Sequence, residues 1–211
     1  MAAPASRKRL SREESRARTR ADLLDAARDL FARQGFEGSS VEQIAEAAGY
    51  TRGAFYSNFD DKQALLIALI ERCFDDDLRG LAALEGTDLP GASRGFEDAA
   101  RLPEDDLRVS HLLKMEFWMC ALRYPPVREA YEHHHARLRA AIGRLIEAQY
   151  RTHGLPLPAT PDQLAGVTIA LRNGLDTQRL VSPTSVPPHL YGLTLHLLLT
   201  GTPPAPPPRD D

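Results

Sequence analysis

The sequence predicts an all-α protein: an N-terminal three-helix head carrying a helix-turn-helix, then a larger C-terminal helical bundle, about nine helices in total. Three observations carry this. Apolar residues recur at helical spacing along most of the chain, and alternation of β-branched residues is nowhere sustained. Ser, Thr and Asp caps alternate with glycine and proline stops at intervals that suit helices. A composition of 43% hydrophobic and 26% charged residues over 211 positions is that of a folded chain, long enough for a small module and a larger one.

The expected organisation is a disordered basic arm at 1–10, a helix-turn-helix domain at 11–60, a ligand-binding and dimerisation domain at 61–200, and a disordered proline-rich tail at 201–211. The first helix runs from about Ser11 to Gln34, with Leu23, Ala27, Leu30 and Phe31 as its apolar stripe. Gly35 ends it with a left-handed cap. The second begins at Ser39 or Ser40, since Ser39 with Glu42 and Ser40 with Gln43 both have capping-box spacing. Val41, Ile44, Ala45 and Ala48 form its buried face, and Gly49 stops it. Thr51 caps a third, very short helix through Phe59, and Asp60 caps a fourth, with Gln63 completing a box.

Helix four extends from about Asp61 to Leu84, with Leu65, Leu66, Leu69, Ile70 and Phe74 inward. The stretch from Glu85 to Gly95 reads as a loop, and a weak helix follows near Phe96. Pro103 and Glu104 open a strong helix carrying Leu112, Met115, Trp118 and Met119. Pro125 and Pro126 start a long one through about Gln149. Thr160 followed by Pro161 is an N-cap with proline at the first helical position, opening a helix to about Leu180. The last helix spans about Pro188 to Leu199.

Residues 39–59 are the informative stretch. Two short helices meet at Gly49-Tyr50 and the cap Thr51, the length of the tight turn in a DNA-reading helix-turn-helix. At 100° per residue, Phe55 and Phe59 face inward while Gly53, Ala54, Tyr56 and Ser57 face out. That outer side is small and polar and holds no acid, so it can approach base edges closely. Arg52 can reach guanine or phosphate, and Tyr56 and Ser57 can bond phosphate oxygens. Lys62 stands in the first turn of helix four, where the helix dipole disfavours a cation unless a phosphate is near. Arg7, Lys8, Arg9, Arg12, Arg16, Arg18 and Arg20 make the N-terminus basic although the net charge is −3, so this arm either tracks phosphates or is a solvated tail.

The run Ala26-Ala27, Leu30-Phe31, Gly35-Phe36, Ser40-Val41, Ile44-Ala45, Ala48-Gly49, Gly53-Ala54-Phe55-Tyr56, Phe59, Lys62 and Leu65-Leu66 resembles the tetracycline-repressor (TetR) family signature over roughly residues 20–70. The resemblance implies a sequence-specific DNA-binding regulator, a repressor released from a palindromic double-stranded operator by a small molecule. It places phosphate contacts at Tyr56, Lys62, Ser40 and Thr51 and base contacts at Arg52, Gly53 and Ala54. Ser57 and Asn58 stand where many members carry tyrosine and histidine, which bears on operator choice. Glu116-Phe117-Trp118 and Gly174-Leu175 resemble one subgroup whose C-terminal helices enclose a ligand and pair two subunits.

For the C-terminal domain, Phe74, Leu78, Met115, Trp118, Met119, Leu122 and Asn173 are the expected ligand-binding residues, around a largely apolar effector. The small residues Gly166, Ala170 and Gly174, with Leu193 and Leu197 on the last helix, suggest a four-helix homodimer interface. Core packing within one subunit is the other reading of both sets.

His133, His134 and His135 point 100° apart on a helix and cannot chelate one ion together, and no catalytic or phosphate-loop motif is present. No enzyme activity, cofactor, catalytic residue or metal is therefore expected, and Cys73 and Cys120 read as reduced core residues. No segment reads as membrane-spanning, and a cytoplasmic location is expected. The alternative is a helical ligand-binding or enzymatic protein whose DNA-binding module is non-functional.

Overall fold

The computed structural model describes residues 11–83, 104–182, 184–187 and 190–200, and among them it holds eight helices and no strand. They are α1 (Arg12–Gln34), α2 (Val41–Ala47), α3 (Arg52–Tyr56), α4 (Lys62–Ala82), α5 (Glu104–Arg123), α6 (Pro125–Thr152), α7 (Pro161–Val181) and α8 (Leu190–Thr200). The chain divides into two compact units, Met1–Leu69 and Ile70–Asp211, so α4 belongs to both. The arm at 1–10, the weak helix near Phe96, the loop at 85–95, the tail at 201–211 and the start of the last helix at Pro188 lie outside the described residues.

In the first unit, local hydrogen bonds start each helix. Ser11 and Glu14 close a capping box on α1. Of the two boxes open in sequence, Ser40 with Gln43 starts α2, while Ser39 is buried and donates to the Gly35 carbonyl at 2.7 Å. Thr51 caps α3 by accepting from the Ala54 amide, and α3 ends at Tyr56 rather than Phe59. The fourth cap is Asp61, not Asp60: its Oδ1 accepts from the Ala64 amide at 2.7 Å. Gly35 has φ 78° but ψ 165°, so the chain leaves α1 extended rather than through a left-handed helical cap. Gly49 has φ 76°, and a Cβ there would meet nothing within 4 Å, so backbone conformation alone asks for glycine in the helix-turn-helix turn.

The core of this unit is Leu23, Ala27, Phe31, Ile44, Phe55 and Leu65, each fully buried. Burial of this size on small helices matters, because helices of five and seven residues are not stable alone. The unit extends past residue 60 because the first turns of α4, with Leu65, Leu66 and Leu69, are part of its packing.

In the second unit, α6 packs chiefly along α7 and α5. Thr160 accepts from the Gln163 amide, with Pro161 in the first turn, as the sequence predicts. A Cβ on Gly143 would come 3.1 Å from the Pro161 carbonyl oxygen, so a larger residue there would push the start of α7 back by a few tenths of an ångström. Arg139 pairs with Asp162 at 3.1 Å across the same contact.

Candidate DNA-reading face and ligand cavity

The outer side of α3 is open. Thr51, Arg52, Gly53, Tyr56 and Ser57 are exposed and Ala54 is half-buried, while Phe55 and Phe59 anchor the inner side with ring centroids 5.7 Å apart. The hydrogen-bonding groups differ in what they can still do. Ser40, Thr51 and Tyr56 use their hydroxyl oxygens as acceptors, so their hydrogens remain for an anion. Ser57 instead donates to the Gly53 carbonyl at 2.9 Å. Its hydrogen is engaged in its own helix, so it can accept but not donate outward.

Arg52 is held from two sides. Its guanidinium meets Glu42 of α2 at 2.8 Å and donates to the Tyr56 hydroxyl at 3.4 Å. The Tyr56 hydrogen bond first, and the Glu42 charge second, push its pKa up. An acid is therefore present at this face after all, contributed by the neighbouring helix.

Lys62 departs most from expectation. Its Nζ donates to the carbonyls of Phe36 at 2.7 Å and Ser39 at 2.8 Å, and lies 4.2 Å from the Phe36 ring centroid. Two of three ammonium hydrogens thus tie α4 to the segment between α1 and α2, where a phosphate contact was expected. Arg16 and Arg20, read in sequence as tracking phosphates or as part of a solvated tail, donate at 3.1 Å to the Ser57 and Asn58 carbonyls, and Arg20 also lies over Phe59. These cations sit at the C-terminal end of α3, where the helix dipole favours positive charge.

The second unit encloses a cavity of about 440 Å³. Phe74, Trp118 and Asn173 line it, as the sequence predicts, but Leu78, Met115, Met119 and Leu122 do not. On α5 the lining residues are Leu107, Ser110, His111, Lys114, Phe117 and Trp118. The stripe from Leu112 through Met115 and Met119 to Leu122 lies about 120° further round the helix, and Met119 and Leu122 are 40% and 71% exposed. Leu78, half-buried on α4, is not in the wall although Phe74, one turn before it, is.

The sequence reading missed the α6 wall, Tyr131, His135, Leu138 and Ile142. Their spacing of four, three and four is a helical face that could have been read from the chain. Tyr191 of α8 also lines the cavity, and burial pushes its hydroxyl up to about 12. Cys73 lies in the wall as a thiol that burial pushes up to about 11, while Cys120 is fully buried. His134 is not at the cavity; it is buried, stacked on Phe74, with Arg137 3.1 Å from its Nδ1. Among the described residues no three metal-ligating side chains cluster, and no helix is long and apolar enough to cross a membrane.

The residues named for a dimer interface lie outward on α7 and α8. Ala170, Gly174 and Leu197 are exposed, Gly166 and Leu193 half-buried, and a Cβ on Gly166 or Gly174 would meet only open space. Val167 and Val181, 51% and 81% exposed, extend this apolar face of α7.

Residues 23–69, the head, match the profile of bacterial regulatory proteins of the tetR family, and residues 99–192 match the C-terminal profile of the BetI-type transcriptional repressor. The chain belongs to the tetR family. Curated relatives include the HTH-type transcriptional repressor AcnR of Corynebacterium efficiens, 43% identical over 51 residues, covering 24% of this chain and 27% of that one. The repressor KstR2 of Rhodococcus jostii is 43% identical over 61 residues, 29% of each chain. The tetR-family chain thus spans under a third of the length of these relatives. Similar solved structures include a tetR-family regulator from Rhodococcus sp. (TM-score 0.74, 20% identity, covering 87% of this chain and 100% of that one). GusR of Salmonella enterica superposes with TM-score 0.74 at 21% identity, covering 90% and 98%. A regulator from Saccharomonospora viridis in complex with choline gives 0.70 at 21% identity, covering 85% and 94%. At these identities the likeness is one of fold.

Proposed function

We propose that this protein is a sequence-specific, double-stranded DNA-binding transcriptional regulator, a cytoplasmic homodimeric repressor that a small molecule releases from its operator. The observation that carries the reading is the uncluttered side of α3: Gly53 stands open between Arg52 and Tyr56, with the hydroxyls of Ser40, Thr51 and Tyr56 around it. A helix presenting glycine and alanine to a major groove can bring its backbone close to base edges, and hydroxyls and backbone amides beside it fix register on phosphates. The base-reading residues are Arg52, Gly53 and Ala54; the backbone-positioning residues are Ser40, Thr51 and Tyr56, with Ser57 as an acceptor only.

One short helix reads too few base pairs for genomic specificity, so two copies must pair. The open apolar face of α7, with Gly166, Ala170 and Gly174, and the neighbouring Leu193 and Leu197, supports a two-fold pairing there and hence a palindromic operator. The cavity of the second unit serves as the effector site, and α4 links the units covalently, with Phe74 and Asp77 in the cavity wall and Lys62 in the head. The effector must bind the non-operator state more tightly than the operator-bound one, or it shifts nothing.

Selection of duplexes from a random pool by the full-length protein tests this. A palindromic consensus bound on the order of 10³ tighter than a scrambled duplex is expected, at a stated salt concentration. Equal binding of selected and scrambled duplexes refutes the reading.

A further inference from the structure

Three carboxylates face the cavity, and each already has a cation. Asp176 meets Arg172 at 2.7 Å, Asp77 meets Lys114 at 3.5 Å, and Asp76 pairs with Arg79. Arg172 also lies over the ring of Tyr191, at 5.3 Å, so that aromatic face holds the protein's own cation. Arg172 and Asp176 are the pair withdrawn from water, while the other two stay exposed, so an ion stacked beside Arg172 and Asp176 must break that pair or stay unpaired there, and both are costly.

What the cavity leaves uncommitted is neutral. No hydrogen bond engages the Asn173 amide, the Ser110 hydroxyl or the His135 ring among the described residues. Tyr131 accepts from the Trp118 indole and keeps its own hydroxyl hydrogen. Burial, with Arg139 second, holds the His135 pKa below its ordinary value, which favours the neutral ring.

The walls are flat. Tyr131 and His135 stack at 5.3 Å with planes 17° apart, Phe74 stands edge-on to Tyr131 at 5.4 Å, and Phe117 and Trp118 complete the enclosure from α5. Such faces favour an offset-stacked ring over a flexible chain. A volume of about 440 Å³ is that of a small-ligand site and leaves room for two or three fused rings with small substituents.

We infer that the cavity takes an uncharged aromatic molecule of two or three rings, stacked between these walls and bonded by Asn173, Ser110, His135 and Tyr131. This rests on the effector reading given above and narrows it to one chemical class.

The test uses three probes of one shape on the full-length protein: neutral 2-naphthol, anionic 2-naphthoate and cationic trimethyl(2-naphthyl)ammonium. Trp118 is the sole tryptophan and stands in the wall, so its emission reports occupancy, with calorimetry giving affinity. The neutral probe should bind at least tenfold tighter than either ion. Freeing one charge should then invert the order. Asp176→Asn leaves Arg172 unpaired and should improve 2-naphthoate at least tenfold; Arg172→Gln leaves Asp176 unpaired and should do the same for the cation. Lys114→Gln, which frees Asp77 outside the buried pair, covers the case where those variants do not fold and should also favour the cation. An ion that binds the wild-type protein as tightly as 2-naphthol, no binding by any probe, or variants that leave the order unchanged each overturn the inference. Tight, selective 2-naphthol binding that leaves operator affinity unchanged overturns the effector reading alone, leaving the ligand class intact.

Discussion

Replacing Lys62 by methionine separates a clamp from a phosphate contact, since methionine keeps the apolar stem and removes only the ammonium. The loss comprises two charge-assisted bonds to the Phe36 and Ser39 carbonyls, at 2.7 and 2.8 Å, and an ammonium 4.2 Å from the Phe36 ring. Bonds to a charged group contribute about 1.5 kcal/mol each at the lower, half-exposed end of their range. The ring contact adds about 0.5 kcal/mol. Relief of a cation at a helix N-terminus returns about 0.5 kcal/mol, and freeing the ordered side chain returns about 1 kcal/mol. The net is a destabilisation of about 2 kcal/mol. For a chain of this size that lowers Tm by about 4–8 °C. Calorimetry on the full chain measures it, and amide exchange at residues 36–40 should quicken in parallel, because the segment loses its tie to α4. The salt dependence of operator binding should keep its slope. An unchanged Tm with unchanged exchange, together with a slope flatter by about 0.9, would mean that Lys62 neutralises a phosphate and the clamp is incidental.

Gly53→Ala is expected to leave folding intact or raise Tm, since a Cβ there meets only Thr51 Oγ1 at 3.7 Å and alanine is favoured inside a helix by about 1 kcal/mol; operator affinity should fall at least tenfold by fluorescence anisotropy, and unchanged affinity would show that α3 does not lie flush in a groove. Glu42→Gln removes the 2.8 Å partner of Arg52 and, because the pair is exposed, should leave Tm unchanged; the selected consensus should relax at the base pair Arg52 reads, and an identical consensus rules out a positioning role for Glu42. His111, His134 and His135 all have pKa values lowered chiefly by burial, with Arg137 second at His134 and Arg139 second at His135. The unfolded chain, with histidines near the ordinary 6.5, takes up protons first as pH falls, so their contribution is full above that value and is lost as pH drops through it towards the lower folded values. The urea midpoint should therefore be lower at pH 5.5 than at pH 7.5, and equal midpoints contradict the buried neutral state.

The cap at Thr160 and the glycine at the turn were legible in the sequence because their geometry is local, whereas Ser39 and Ser40 both had capping-box spacing and only the fold selects Ser40. The inner and outer sides of α3 were legible for the same reason: a rotation of 100° per residue needs no neighbour. The Asp60 and Asp61 pair shows the limit, since either can cap and only the packed position of α4 selects Asp61. In the second unit the apolar stripes were visible, but which stripe turns to the cavity depends on how α5, α6 and α7 pack, and that assigned Met119 and Leu122 to the outside. Tyr131 and His135 were not legible as cavity residues, because their aromatic partner Phe74 comes from α4.

The support of α3 was illegible for a related reason, and it bears most on function. A helix of five residues has no stability of its own and cannot hold Arg52 and Gly53 in a fixed orientation. Its direction must be imposed by neighbours. Thr51 fixes its start, Phe55 and Phe59 its inner side, and Arg16 and Arg20 the Ser57 and Asn58 carbonyls just past its end, from positions 41 and 38 residues away. Lys62 fixes the segment that leads into α2, and Glu42 of α2 holds the side chain of Arg52. The basic residues that looked like reach towards DNA are, in Arg16, Arg20 and Lys62, the framework that makes the reading helix rigid. Preorganisation of that kind cuts the ordering cost of binding a groove, so substitutions behind α3 should weaken operator binding without touching DNA.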